Sequence, residues 1–288
     1  MTQIDEFESR FKSAAKPVFH LAPVQLQTIL ILIDGSADHL REYVAKIEAF
    51  LKVLNTADSS INVEIVTGDR FSGVDKLLEI VEQSRPDLIC TYRNLHTPAT
   101  EFPYSLGVYV DVLTQATEIP ILLLPHPSTL RDGDNVMRNS DRVMVVTDHL
   151  AGDATLVTYA ARFTQENGEL TLAHIEDEHV FERFVDVLSK IPTIDTDQAK
   201  KSILDQLLKE PTDYIESCRK GLAEELGQSI KVTSSISMGH HLSDYRDIID
   251  KSDIDLLVIN TKDEDQLAMH GLAYPLSIEF RDLPLLLI

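Results

Sequence analysis

Hydrophobic positions along this chain follow two periods. Ile4, Phe7, Phe11, Ala14, Ala15 and Val18 recur at helical spacing and predict an amphipathic helix, which Lys16-Pro17 brings to an end. After it the pattern turns to short continuous apolar runs, as parallel strands covered on both faces require. Residues 28–33, 61–67, 87–91 and 120–124 read as strands, with helices expected at 38–54, 74–83 and 106–117 and a loop at 93–104. A polar stretch with one proline and one glycine, residues 126–140, reads as a linker.

A similar programme follows. Strands are expected at 142–147, 169–175, 230–237, 255–259 and 284–288. Helices are expected at 153–165, 242–251 and 267–280, with a helical stretch over 178–226 interrupted at Pro192 and Pro211. Parallel strands need a crossover between them, so the alternation predicts an α/β fold with doubly wound parallel sheets. The halves match in detail. Asp34 and Asp148 each end a first strand, and Asp87-Leu-Ile answers Asp255-Leu-Leu. Ile119-Pro-Ile-Leu-Leu-Leu answers Leu283-Pro-Leu-Leu-Leu-Ile, and Gly107 precedes Pro120 at the spacing at which Gly271 precedes Pro284. These matches predict two domains in tandem, residues 27–125 and 141–288, after an N-terminal helix and linker at 1–26. The first half has only Asn55–Ser60 where the second has 169–227, so it is expected to lack one βα unit, whose exposed surface the N-terminal helix would cover.

Composition narrows the function. The net charge is −21 over 288 residues, and no Lys/Arg run exists, which argues against nucleic acid and anionic membranes as partners. No apolar run approaches the length of a membrane span, and the N-terminus lacks a signal-peptide core, so no membrane insertion and a cytoplasmic location are expected. Cys90 and Cys218 sit in apolar or helical patterns and read as small buried hydrophobes. His174, Asp177, Glu178, His179, His240 and His241 are metal-capable types, but their spacing specifies no convergent ligand set, and no metal site is expected. No nucleophile elbow, HExxH, Walker lysine or Cys–His arrangement appears, so no catalytic residue is assigned.

The order of ILILIDGS and VMVVTDH, LTLAHIED, VEIVTGD and SSISMGH, the Asp-Leu strands and the Pro-led last strands resembles a tandem universal stress protein. The resemblance implies Rossmann-like, adenine-nucleotide alpha hydrolase-like domains, with ATP in many members at the carboxyl ends of the first and fourth strands. It also implies a Gly-x2-Gly-x9-Gly-Ser/Thr loop, whose glycines let main-chain amides meet phosphates. Both halves depart from that loop. Counting back from Gly107 puts Asn94 and Thr97 at the first two glycine positions; from Gly271, Val258 and Thr261. Asp263, Glu264 and Asp265 place negative charge where phosphates would lie, each contact costing roughly 4 kcal/mol at about 4 Å before screening. The resemblance thus implies a non-enzymatic stress-response sensor or adaptor with degenerate nucleotide loops and no cofactor. The alternative is an ATP- or AMP-binding module in the first cleft, with weak hydrolysis. Candidate ligand-binding residues are Asp34, Gly35, Ser36, Arg93, His96, Gly107, Asp148 and Gly271. Members of the family dimerise through the last strand, and an apolar edge demands a partner, so Ile121–Leu124 and Leu285–Ile288 are expected to pair within the chain as a pseudo-dimer or across a homodimer. An unidentified protein partner is also expected.

Overall fold

The computed structural model describes residues 18–35, 40–55, 60–98, 101–130, 136–146, 153–227, 229–261, 269 and 271–288. Nine strands form one sheet in the order β2-β1-β3-β4-β9-β8-β5-β6-β7. They are β1 (Thr28–Ile33), β2 (Asn62–Thr67), β3 (Leu88–Tyr92), β4 (Ile121–Leu124), β5 (Arg142–Val146), β6 (Glu169–Asp177), β7 (Lys231–Gly239), β8 (Leu256–Ile259) and β9 (Leu285–Leu287). The helices are α1 (Arg41–Leu51), α2 (Val74–Ser84), α3 (Val108–Ala116), α4 (Ala154–Phe163), α5 (Glu178–Ser189), α6 (Thr196–Leu226), α7 (His241–Ser252) and α8 (Ala273–Glu279). This is an α/β, doubly wound architecture, and every strand pair but one is parallel.

The exception lies at the middle. β4 and β9 run antiparallel, with Ile121 opposite Leu287, Leu122 opposite Leu286 and Leu123 opposite Leu285. All seven residues of the two strands are buried. Apolar residues on both faces make each strand uninhabitable as an open edge, and mutual pairing removes the problem for both. The outer edges are built differently. On β7, Thr233 meets Thr171 at 3.1 Å and Lys231 pairs with Glu169 at 3.0 Å, so a polar rim ends the sheet.

The two sides of the seam share a frame. β1 lies between β2 and β3, and β5 lies between β6 and β8. Asp87 Oδ2 accepts from the amides of Gln27 and Thr28, both at 2.8 Å, and clamps the start of β1 to β3. Asp255 Oδ2 accepts from the Arg142 amide at 2.9 Å and does the same for β5 and β8. The carbonyl of Pro120 receives the Ile89 amide at 3.0 Å, and that of Pro284 receives the Leu257 amide at 3.1 Å. Outside β1 stands only β2, whereas β6 and β7 stand outside β5.

Several boundaries differ from expectation. The break near Pro192 separates α5 from α6, but Pro211 lies inside α6 and does not interrupt it. Proline removes one helical donor. Here Pro211 is buried with Tyr214 and Ile215, and the Thr212 hydroxyl donates to the Leu208 carbonyl at 2.6 Å, so packing holds the turn together. The last helix is limited to Ala273–Glu279 and takes Pro275 in its first turn, where the lost N–H matters little. The N-terminal helix expected before Val18 falls outside the described residues. The described chain that follows it packs on the second half: the Phe19 amide donates to Ser217 Oγ at 2.6 Å, and the Phe19 ring lies against Gly221 of α6. Among the described residues no helix is long and apolar enough to cross a membrane.

Two predictions follow from the seam and the strand clamps. Leu122→Ala and Leu286→Ala, on facing positions, are each expected to cost about 2–5 kcal/mol in urea unfolding. Their double mutant should deviate from additivity by at least about 0.5 kcal/mol, because the side chains share one contact. The twin aspartates should respond oppositely to pH. Burial raises the Asp87 pKa, but the Gln27 and Thr28 bonds outweigh it and leave a net lowering. Asp87 therefore stabilises above the ordinary carboxylate pKa and loses that contribution as pH falls through its folded value. Burial raises the Asp255 pKa, and Asp141 and Asp253 add to this. Its contribution is present at low pH and lost as pH rises through the folded value. Asp87→Asn should thus be increasingly costly from pH 3 to pH 7, and Asp255→Asn decreasingly so, in a pH series of denaturation midpoints.

Candidate functional site

In a doubly wound sheet a ligand crevice lies at the carboxyl ends of the strands where the winding reverses. The first half reverses between β1 and β3. Asp34 follows β1, and its carboxylate is occupied by the protein itself. The Tyr92 hydroxyl at the end of β3 donates to Oδ1, and the His96 amide donates to Oδ2 at 2.8 Å. The Asp34 amide in turn donates to the Tyr92 oxygen at 3.1 Å. Burial, together with the bond to Asp34, raises the Tyr92 pKa well above the ordinary phenol value and keeps the proton on it.

The loop after β3 reaches this position by an unusual backbone path. Asn94 and His96 both adopt positive φ, at 57° and 58°. Gly107 stands at φ 87°, and a Cβ there would lie 2.7 Å from the Asn94 Cα. Only glycine allows the two ends of the loop to close so tightly. The Asn94 amide donates to the Leu106 carbonyl at 2.9 Å across the same gap. Gly68 has a similar function beside β1, since a Cβ would stand 2.3 Å from the Asp34 carbonyl oxygen.

Rings gather beside this position. Phe71, His96 and Tyr109 contact one another at centroid distances of 4.9, 5.7 and 5.2 Å. Tyr92 takes Tyr43 on one edge at 5.6 Å and His126 on another at 5.2 Å. Tyr43 is tied down by its hydroxyl, which donates to the Pro125 carbonyl at 2.6 Å. Burial lowers the His126 pKa, and the Asp34 charge partly opposes this.

Arg93 points elsewhere. Its side chain is 4% exposed, and Nε and Nη2 have no hydrogen-bond acceptor. Burial lowers its pKa to about 10, with Asp282 opposing and Arg281 adding to the shift. Those two residues precede β9, so the first half's loop meets the second half here. Arg281 donates to the Pro103 carbonyl at 3.4 Å, and its guanidinium lies 5.0 Å from the centre of the Tyr104 ring.

The second half answers with other residues. Asn260 follows Asp255 at the spacing at which Tyr92 follows Asp87. It donates through Nδ2 to Asp153 Oδ2 at 2.7 Å, while Asp153 Oδ1 caps α4 by accepting the Leu156 amide at 2.9 Å. Burial raises the Asp153 pKa despite both bonds. Of the sequence candidates, Asp34 and the His96 backbone meet, and Gly107 meets Asn94. Gly35 sits beside Leu40, where a Cβ would be 2.9 Å from Cδ1. Gly271 is an exposed turn residue at φ 55°. Ser36 and Asp148 lie outside the described residues, as do Lys262, Asp263, Glu264 and Asp265. Sequence reasoning missed Tyr92, Asn260, Asp153 and His126. The shared spacing from Asp87 and Asp255 was the signal for the first two.

His174, His179, His240 and His241 have local roles. His174 Nε2 meets Glu176 Oε1 at 2.8 Å, His241 Nε2 meets the Ile175 carbonyl at 2.8 Å, and His179 stacks on His240 at 4.8 Å. Among the described residues no group of three or more His, Cys, Asp or Glu converges as metal ligands do.

No family model matches this chain, and no curated protein matches it. Solved structures similar to it include a provisionally assigned universal stress protein from Pseudomonas aeruginosa UCBPP-PA14, at 12% identity and TM-score 0.49, covering 91% of this chain and 93% of that one. A protein of unknown function from Pseudomonas aeruginosa PAO1 has 12% identity and TM-score 0.48, with 92% of each chain covered. A universal stress protein from Archaeoglobus fulgidus DSM 4304 has 15% identity and TM-score 0.46, covering 91% and 87%. Likenesses this distant describe overall chain path and assign no role to any residue.

Proposed function

We propose that this protein is a non-enzymatic adaptor of the universal stress protein type, built from two copies of one α/β unit and working without bound nucleotide. One observation carries the reading: both oxygens of the Asp34 carboxylate are already engaged by Tyr92 and His96, where a ligand would need at least one of them. Each carboxylate oxygen keeps a second lone pair, so a nucleotide donor can share the group, but one that takes the place of the Tyr92 phenol or the His96 amide leaves it without its partner. Leaving such groups unpaired costs roughly 1–3 kcal/mol each. The paired placement of Asp87 with Asp255 and of Tyr92 with Asn260 supports the duplication. On this reading the chain acts in the cytoplasm by presenting surfaces to a protein partner.

A second reading, a nucleotide-holding module, is favoured by Arg93, whose buried guanidinium has two nitrogens without acceptors near the end of β3. An anion drawn into that spot would satisfy them.

Thermal unfolding with magnesium and ATP or AMP separates the two. A ligand present at about 100 times its Kd stabilises by about 2.7 kcal/mol. The adaptor reading expects no change in melting temperature at millimolar nucleotide. A rise that disappears in Asp34→Ala or Arg93→Gln would establish the nucleotide module instead. Independently, Tyr92→Phe should cost about 1–2 kcal/mol in urea unfolding, because it removes the donor to Asp34 and the acceptor for the Asp34 amide together.

A further inference from the structure

With β4 and β9 paired inside the chain, the sheet has two outer edges, β2 and β7. β2 is short, with six residues, and carries Glu64 near its middle, where an added strand would meet a charge. β7 has no such safeguard. It runs nine residues in unbroken register with β6, so no bulge bends it away. Residues 232–239 contain no proline and no charged side chain. The Lys231 amide donates to the Gly168 carbonyl at 2.8 Å, and main-chain groups alternate sides along a strand. Thr233, Ser235 and Ser237 therefore bond to β6, while Ser234, Ile236 and Met238 turn both N–H and C=O away from it. Among the described residues nothing takes those groups.

Side chains close this window at both ends. Arg219 Nε donates to the Val232 carbonyl at 3.3 Å, and Asp244 Oδ2 accepts the His240 amide at 2.9 Å. Val232 and His240 stand equally far from Ile236, so the open window is symmetric about that residue. This symmetry singles out a second copy of the chain over a foreign strand. An identical strand running antiparallel, with Ile236 on the axis, presents the same groups in reverse. Ser234 then faces the partner subunit's Met238, and Ile236 faces its own counterpart. Each such pair exchanges two bonds, so about six form and every open group is used. The surroundings leave room. Ile230 and Val232 line a groove of about 480 Å3 with Leu222 and Ala223 of α6, which puts the even-numbered side chains of β7 on the α6 face. Ser234, on that face, is exposed, so α6 does not roof the edge there. The net charge of −21 opposes self-association, but exposed charges beyond about 8 Å are screened at physiological salt, and the strip itself is neutral. The charges at its foot are paired within the chain, Lys231 with Glu169 and Arg219 with Glu216.

We infer that two copies of this chain pair antiparallel through β7, with Ile236 on the two-fold axis. The inference does not depend on whether nucleotide binds. Sedimentation equilibrium of the full chain tests it, comparing the wild type with Ile236→Arg and Ser234→Pro. Arginine at 236 sets like charges opposite each other while making the chain less negative, so lost pairing would not reflect general repulsion. Proline at 234 removes an outward N–H and leaves the bonds to β6 in place. The wild type should pass reversibly from monomer to dimer as concentration rises. Each variant should raise the dissociation constant at least about 10-fold, with an unchanged circular dichroism spectrum. Cross-linking reads the register separately. Cα atoms about 5.5 Å apart on the axis lie within disulfide reach, and the native Cys90 and Cys218 are buried. Ile236→Cys should therefore form a covalent dimer at least about 10-fold faster than Ser234→Cys, which faces Met238 and not itself. A dimer that survives either variant, or equal cross-linking rates, overturns the inference. A chain that stays monomeric throughout also overturns it and leaves the edge to another protein's strand.

Discussion

The antiparallel pairing of β4 with β9 is the constraint on which the rest depends. Each strand is apolar on both faces, and neither could end a sheet in water. Their union fixes the position of everything around them. It sets Arg281 and Asp282 beside the loop that follows β3, and so brings one half's turn to bear on the other half's crevice. The crevice of the first half is therefore shaped by contacts from both sides of the seam.

Around this seam the same frame ends in different chemistry. A tyrosine closes on an aspartate in one half, and an asparagine closes on a helix-capping aspartate in the other. Tyrosine brings a ring as well as a donor, and that ring organises Tyr43 and His126 around it. Asparagine brings no ring. The first crevice consequently becomes an aromatic core with a few polar bonds, while the second keeps a smaller polar contact. Neither difference alters the strands, because Tyr92 is the last paired residue of β3 and Asn260 follows the last paired residue of β8.

Much of the fold was legible in sequence because parallel strands buried on both faces leave unmistakable apolar runs, and Asp87 and Asp255 mark strand starts by their clamping role. Helix ends were harder. Pro211 looked like a stop because a proline costs one donor in any helix, but the burial of Pro211, Tyr214 and Ile215 is a tertiary fact with no local trace. The site was the least legible part. Asp34 was visible as a polar residue ending an apolar run, but its partners come from positions 58 and 62 residues away. Arg93 read as a cation facing a cleft; its burial depends on residues beyond the seam.

The seam has a further consequence for assembly in the cell. Two separate half-proteins would meet only by diffusion, and a newly made half would wait with an apolar edge until it met another. Written into one chain, the two edges find each other at a concentration set by the connecting peptide and not by expression level. The scarcest copy is then as complete as the most abundant, and the hazardous edge exists only for as long as synthesis of the second half takes.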